Sequence, residues 1–305
     1  MLTVRPNPAI LGATIEGLDA GQPMDDASFG RLLAALGRYG VLRFPNQSLT
    51  AAQLKAFSER FGDIQSGIGE ARDKDVPEVG ILSNVKQNGA YIGLPDAGQD
   101  WHTDMSYRDV IGFVNVLYGA KIPFRDGRAL GGTEFASMHA AYDGLPDDIK
   151  TRLADATVTH DFDKFWPMMV NRPGSTGKPM TPEQRAMRPP AVHPLFLTHP
   201  LTGRKILYAN PGYANPGYAM RINQLPEAES QRMLAYLFEH QVKPEYRYTH
   251  HWQVNDLLVW DHVGTIHRAI ADYRPDEERL MLRCQVMATK LFSEDFLRPM
   301  RDLAA

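Results

Sequence analysis

The stretch QDWHTDMSYRD sets His102 and Asp104 two residues apart, an imidazole and a carboxylate that one metal ion could share. Two histidines and one carboxylate make a facial triad. Such a triad holds Fe(II) on one side and leaves positions open for a bidentate co-substrate and oxygen. The pair alone is weak: with 10 His and 36 Asp or Glu in 305 residues, about one such spacing arises by chance. The third ligand must be a histidine distant in sequence. His193 and His199 each precede proline, His139 and His240 fall in helical segments, and His250 and His251 are adjacent near a strand end. His160, His262 and His267 remain.

The segment C-terminal to His267 favours that histidine. The stretch IHRAIADYRPDEERLMLRCQV runs from His267 through a polar turn into a strand. Along that strand Arg279, Met281, Arg283 and Gln285 share one face, and Leu280, Leu282, Cys284 and Val286 share the other. The second face is apolar and reads as core. If the first face lines a barrel interior, both arginines need anions, because an unpaired buried charge is costly. Their separation of roughly 13 Å suits two different carboxylate-type ligands. A solvent-facing strand with two surface arginines would show the same pattern.

These residues need a scaffold. From Val110 onward the segments VIGFVNVLYGAKIP, GGTEFAS, ATVTHDF, HPLFLTHP, KILYAN, EYRYTHHWQ, DLLVWDH and RLMLRCQVMA are apolar, branched and aromatic runs divided by Gly, Pro, Asn or Asp. They predict a mainly β protein with flanking helices and a double-stranded β-helix, or jelly-roll, core of the cupin-like kind over about 100–290. Residues 1–62 read as an α/β flank. A helix in DDASFGRLLAALGRYG follows an Asp cap and stops at Gly40, and a second in SLTAAQLKAFSERFG starts at Ser48 or Thr50 and stops at Gly62. Further helices are expected at MHAAYDGLPDDIKTRLAD and at LPEAESQRMLAYLFEHQ, the latter with Met233, Leu234, Tyr236, Leu237 and Phe238 on one face. Residues 163–192, rich in Pro, Met and Arg without a clear period, read as an irregular, lid-like insertion. The tandem copies of ANPGY from Ala209 to Tyr218 are too short for a repeat fold and read as a lengthened turn.

With 43% hydrophobic and 23% charged residues, the composition is ordinary for a globular protein, and the chain reads as a single domain over 1–305. A net charge of -3 argues against nucleic acid as a partner. No window approaches the roughly 20 apolar residues of a membrane span, and the lone Cys284 fits a reducing compartment. The expectation is a cytoplasmic protein acting on a small molecule.

His102, Asp104, the distant His267, Arg279 and Arg283 together resemble the taurine dioxygenase and 2,4-dichlorophenoxyacetate dioxygenase family of Fe(II)- and 2-oxoglutarate-dependent oxygenases. The likeness spans nearly the whole chain, including GATIEGLD, GVLRFPNQSLT, LGGTEFASMHAAYDGLP, HPLFLTHPLTGRKILYANPGY and HHWQVNDLLVWDHVGTIHRAIADY. It implies that His102, Asp104 and His267 bind iron, and that Arg279 pairs with the distal carboxylate of 2-oxoglutarate, as a planar guanidinium does well. It also implies that Thr133 donates a hydrogen bond to that co-substrate and that Arg283 holds the substrate's anionic group. The implied reaction uses O2, releases succinate and CO2, and hydroxylates a small anionic substrate. Desaturation or C–O or C–S cleavage would use the same site, and a non-catalytic ligand-binding protein could keep the same fold. Intact Asp104 argues against a halogenase. Relatives form homodimers or homotetramers.

The sequence also departs from the family pattern. Gly132 precedes Thr133 where the family often has Asp, Gly98 stands where taurine dioxygenase has a substrate-contacting Asn, and IQSGIGEAR offers Ser66 and glycines in place of a His. These losses argue against taurine. The neighbourhood, Tyr91, Leu94, Met105, Tyr107, Phe165, Trp166 and Tyr218, instead suits a larger and more hydrophobic carboxylate or sulfonate.

Overall fold

The computed structural model describes residues 2–65, 71–95, 98–171, 178–213 and 219–302. Ser66, Tyr218 and the second ANPGY copy lie outside the described residues, as does the middle of the 163–192 insertion. Seven strands form the main sheet in the order Thr3–Pro6, Ala13–Glu16, Val41–Phe44, Leu257–Asp261, Gly112–Lys121, Leu280–Met287 and Gly80–Ser83. All pairs are antiparallel except Ala13–Glu16 with Val41–Phe44. Its longest strand, GFVNVLYGAK, is buried along nearly its whole length, as a strand covered on both faces must be.

A second sheet of Arg247–His250, Thr133–Ser137 and Thr265–Ala269 closes over one face. Leu117, Phe135, Trp252, Leu258, Trp260 and Met281 fill the space between the sheets. This is the jelly-roll core. The opposite face of the main sheet, with Phe113, Cys284 and Val286, packs against helices Asp26–Tyr39, Ala51–Ser58 and Glu294–Arg301.

The first helix begins where the Asp25 side chain accepts from the Ser28 amide, and it ends at Gly40, whose φ of 69° is the left-handed conformation glycine adopts at low cost. Thr50, not Ser48, caps the second helix, which ends at Ser58, short of Gly62. The single helix expected near Met138 is two, Met138–Asp143 and Asp147–Arg152. The break falls at Gly144-Leu145-Pro146, where proline disfavours helical backbone in the residue before it. Helix Glu227–Gln241 buries Ser230, Leu234, Leu237, His240 and Gln241, while Tyr236 is 39% exposed. The polar members are buried because they bond neighbouring backbone: Ser230 Oγ accepts from Ile222 N, and His240 Nε2 lies 2.7 Å from Ala141 O. The insertion contains two helices rather than none, Phe162–Val170 capped by Asp161 and Pro182–Ala186 with a Thr181–Gln184 capping box. Thr265–Ala269, read as part of a polar turn, is a strand.

Several buried histidines have consequences for stability. Burial, reinforced by the adjacent His193, pushes His160 down to about 3. His139, His193 and His240 are lowered too, each chiefly by burial. An unfolded histidine binds its proton near about pH 6.5, so this stability is fully present above that pH and is lost as pH falls toward the folded value. The expected slope is about 1 kcal/mol per pH unit for each such histidine. Thermal melts between about pH 7 and pH 5 should show a falling Tm; a flat profile would refute neutral burial.

Candidate active site

His102 and His267 are brought together by the backbone itself. Each donates its amide to the other's carbonyl, at 2.9 and 2.8 Å, as an isolated antiparallel bridge. Their rings then lie 4.3 Å apart. Asp104 follows on the same loop, its Oδ1 3.5 Å from His102 Nε2, and the ligand atoms of all three residues lie within 4.8 Å of one another. Thr103 turns away and donates to His262 O at 2.8 Å. Met105, with φ 60°, bends the chain immediately after the carboxylate.

The first ANPGY copy supports this loop. Asn210 Nδ2 donates to Thr103 O and Ser106 Oγ, and its Oδ1 accepts from Thr103 N. Gly212 lies so close that an added Cβ would sit 2.9 Å from His102 Cβ. The turn read as mere lengthening therefore packs against a ligand loop.

The donors fit Fe(II). Two imidazoles and one carboxylate converge from one side, and the Asp100 carbonyl lies 2.8 Å from His102 Nδ1. That contact places the proton on Nδ1 and leaves the Nε2 lone pair for a metal. His267 Nδ1 is buried without a protein partner. Burial, then the charges of His102, His262 and Arg283, hold His267 well below the ordinary histidine range, so it stays neutral and able to ligate. Burial opposes ionisation of Asp104, but the His102 contact and the charges of His262, His102 and His267 outweigh it and hold the carboxyl well below its usual range. For His102, burial is outweighed by Asp104 and the Asp100 carbonyl, and its value is raised.

Arg279 is 7% exposed, directly before strand Leu280–Met287. Its backbone is fixed by Asn84 Oδ1, which accepts from its amide, and by Ser83 Oγ, which donates to its carbonyl. The guanidinium donates from Nη2 to Gly131 O over a long 3.4 Å and lies 5.8 Å from the Tyr273 ring centroid, while its Nε is buried without a partner. Gly131, at φ 69°, leaves room for it: an added Cβ would lie 2.9 Å from Nε. Burial lowers this arginine's pKa, the mark of a cation lacking its anion. Leu94 and Tyr273 share its crevice. Thr133 Oγ1 accepts from Trp252 Nε1 at 3.0 Å, so its own O–H remains available to donate. The features fit a carboxylate co-substrate.

Arg283 pairs across its strand with Gly80 and Leu117, and its charge opposes protonation of His102, His262 and His267, though His102 is raised on balance. Tyr91 is 44% exposed on a small hairpin, with the Lys86 ammonium 4.7 Å from its ring. Met105 is 2% exposed and packs at Gly112. Tyr107 lies 4.1 Å from Phe162, on whose ring Trp166 stacks at 5.6 Å. Trp166 Nε1 donates to Lys178 O.

Two residues beside Asp104 escaped the sequence reading of the site. Gln285 and Asn115 donate to its Oδ2 at 2.7 and 3.2 Å, and His262, retained there as a candidate ligand, has its Nε2 3.6 Å from the same oxygen. Gln285 could have been found from its place on the face of Arg279 and Arg283, and Asn115 as the lone amide in an apolar run.

A jelly roll with a two-histidine, one-carboxylate triad and open positions beside it defines the mononuclear non-haem iron oxygenases. Residues 3–285 match the family described as taurine catabolism dioxygenase TauD, TfdA family, and the chain belongs to it. It is 32% identical to pentalenolactone F synthase of Streptomyces avermitilis over 284 residues, 89% of each chain. It is 30% identical to the (S)-phenoxypropionate/alpha-ketoglutarate-dioxygenase of Sphingobium herbicidovorans over 266 residues, 87% of this chain and 88% of that one. A crystal structure of AAD-2 in complex with Mn(II) and N-oxalylglycine superimposes with a TM-score of 0.76 at 27% identity, covering 95% of this chain and 98% of that one. The protein is accordingly a 2-oxoglutarate-dependent dioxygenase that works with Fe(II) and O2. No described helix is long and apolar enough to cross a membrane.

Proposed function

We propose that the enzyme hydroxylates a small hydrophobic organic acid, a carboxylate or sulfonate other than taurine. The observation that carries this reading is Arg283, two residues before Gln285 on the strand whose Gln285 amide bonds the Asp104 carboxylate. A cavity of about 420 Å³ that begins at Tyr107, three residues beyond Asp104, and has Arg108, Asp109, Met187, Arg188 and Met287 in its wall offers apolar and aromatic surface with charges of both signs. That volume is within the range of small-molecule sites. Two similar proteins carry names that specify hydrophobic aryloxy acids, phenoxypropionate and 2,4-dichlorophenoxyacetate.

In this reading His102, Asp104 and His267 hold the metal. Arg279 receives the distal carboxylate of 2-oxoglutarate and Thr133 donates to it. Fe(II) with 2-oxoglutarate and O2 supplies the oxidising power, with succinate and CO2 as by-products. Arg283 fixes the substrate's anionic end so that one carbon faces the metal, and the helices Phe162–Val170 and Pro182–Ala186 of the insertion limit water at the site.

The test is Arg283→Gln, assayed with a panel of aryloxyalkanoates, alkyl carboxylates and alkyl sulfonates while succinate and oxygenated product are measured. Loss of a charge-assisted anchor should raise the acid's KM by about tenfold to a hundredfold, with the KM for 2-oxoglutarate little changed. An unchanged KM for every accepted acid would exclude Arg283 as the anion anchor.

A further inference from the structure

The two oxygens of Asp104 have unlike surroundings. Oδ1 faces His102 Nε2 at 3.5 Å. Oδ2 is turned to the protein, where Gln285 Nε2 donates at 2.7 Å and Asn115 Nδ2 at 3.2 Å. The two amides come from adjacent antiparallel strands, Leu280–Met287 and Gly112–Lys121, in which Gln285 and Asn115 are direct partners. Their side chains therefore leave the same face of the sheet and reach the same point. Asn115 is buried within an apolar strand, and its Oδ1 has no partner. What places an amide there is what its NH2 does, and only the NH2 end of either amide can face an ionised carboxylate. The His262 ring closes the third side at 3.6 Å without a hydrogen bond from either nitrogen.

We propose that Asn115 and Gln285 are positioning residues, a two-amide clamp that occupies Asp104 Oδ2 and restricts the carboxylate to coordinating the metal through Oδ1 alone. A carboxylate can ligate through one oxygen or both. Coordination through both would fill a position that the co-substrate or O2 must take. Rotation of Asp104 into that mode would break two charge-assisted hydrogen bonds on a buried oxygen. The clamp thus fixes the direction of one ligand and keeps the remaining positions open. Its members act through Asp104.

The experiment uses the full-length metal-free protein with Gln285→Met, which keeps length and removes the donor, Asn115→Leu, and the double substitution. Mn(II) is titrated in and free Mn(II) is read by electron paramagnetic resonance, with the metal-free Tm measured beside it. Partners of a metal-bound carboxylate usually matter by about 10–100-fold in affinity, and each single variant should lose that much while its metal-free Tm moves by no more than about 4 °C. The double variant should lose less than the product of the two, since both donors serve one oxygen. A second readout is the visible charge-transfer band of the anaerobic Fe(II)–2-oxoglutarate complex. It should move to lower energy, because a carboxylate relieved of two donors gives more charge to iron. Mn(II) affinity within threefold of the parent in folded variants overturns the proposal. So does a strictly multiplicative loss with an unmoved band, the signature of two separate packing effects. Should Gln285→Met not fold, Asn115→Leu reads the same oxygen from the other strand and decides alone.

Discussion

His102→Ala is expected to abolish the iron site while leaving the fold intact. Metal-free wild-type protein, given Fe(II) and then 2-oxoglutarate without oxygen, should develop the weak visible charge-transfer band of the chelate, and the variant should not. The scale comes from the ligand count. If a tightly held divalent ion contributes roughly 10–16 kcal/mol through about four ligands, loss of one costs on the order of a hundredfold to a thousandfold in affinity. The fold should tolerate the change, because the reciprocal bonds joining His102 to His267 run through backbone atoms that alanine retains. A band of wild-type intensity in a folded His102→Ala protein would exclude His102 as a ligand. Turnover of any acid substrate should vanish with the band, since every step of the chemistry depends on the metal.

The core strands were legible because their apolar, branched runs are bounded by turn residues, and the first helix because Asp25 and Gly40 are local signals of start and stop. The triad was legible only in part. Spacing offered His102 with Asp104, the strand that follows His267 favoured it over His160 and His262, and resemblance to a known family strengthened that choice. The structure shows why elimination could not have made it: His262 sits 3.6 Å from Asp104, nearly as close as His102. What separates His267 from it is pairing, since His267 lies in a strand register opposite Phe135 and bridges to His102. Register across strands is a long-range property that local periodicity does not encode. The same holds for Asn115 and Gln285, two ordinary amides until the sheet sets them opposite one another. Helix Glu227–Gln241 is present as expected with Leu234 and Leu237 buried, but its buried His240 was not legible, because it bonds Ala141, a segment remote in sequence.

Arg279→Met is expected to act in opposite directions on stability and on co-substrate binding. In the protein without co-substrate the guanidinium is buried, its Nε has no partner, and its contact with Gly131 O is long. An incompletely compensated buried charge opposes folding, and replacing it with an apolar side chain of similar length is neutral or stabilising by about 1–4 kcal/mol. At about 2–4 °C per kcal/mol in a large domain, the metal-free Tm should rise by several degrees. The affinity for 2-oxoglutarate should fall, because the carboxylate loses a charge-assisted, two-pronged partner in a desolvated crevice. Truncating one member of such a pair typically costs about 2–5 kcal/mol, a loss on the order of a hundredfold or more. Arg279→Lys should fall between, keeping the charge and losing the planar fork. Calorimetry with 2-oxoglutarate on the anaerobic Fe(II) protein, beside thermal melts of the metal-free form, reads both effects. A lower Tm with undiminished 2-oxoglutarate affinity would make Arg279 a structural residue and move the co-substrate anchor elsewhere. A raised Tm with lost affinity would mean that the protein keeps an incompletely compensated cation in its interior so that the co-substrate can complete it.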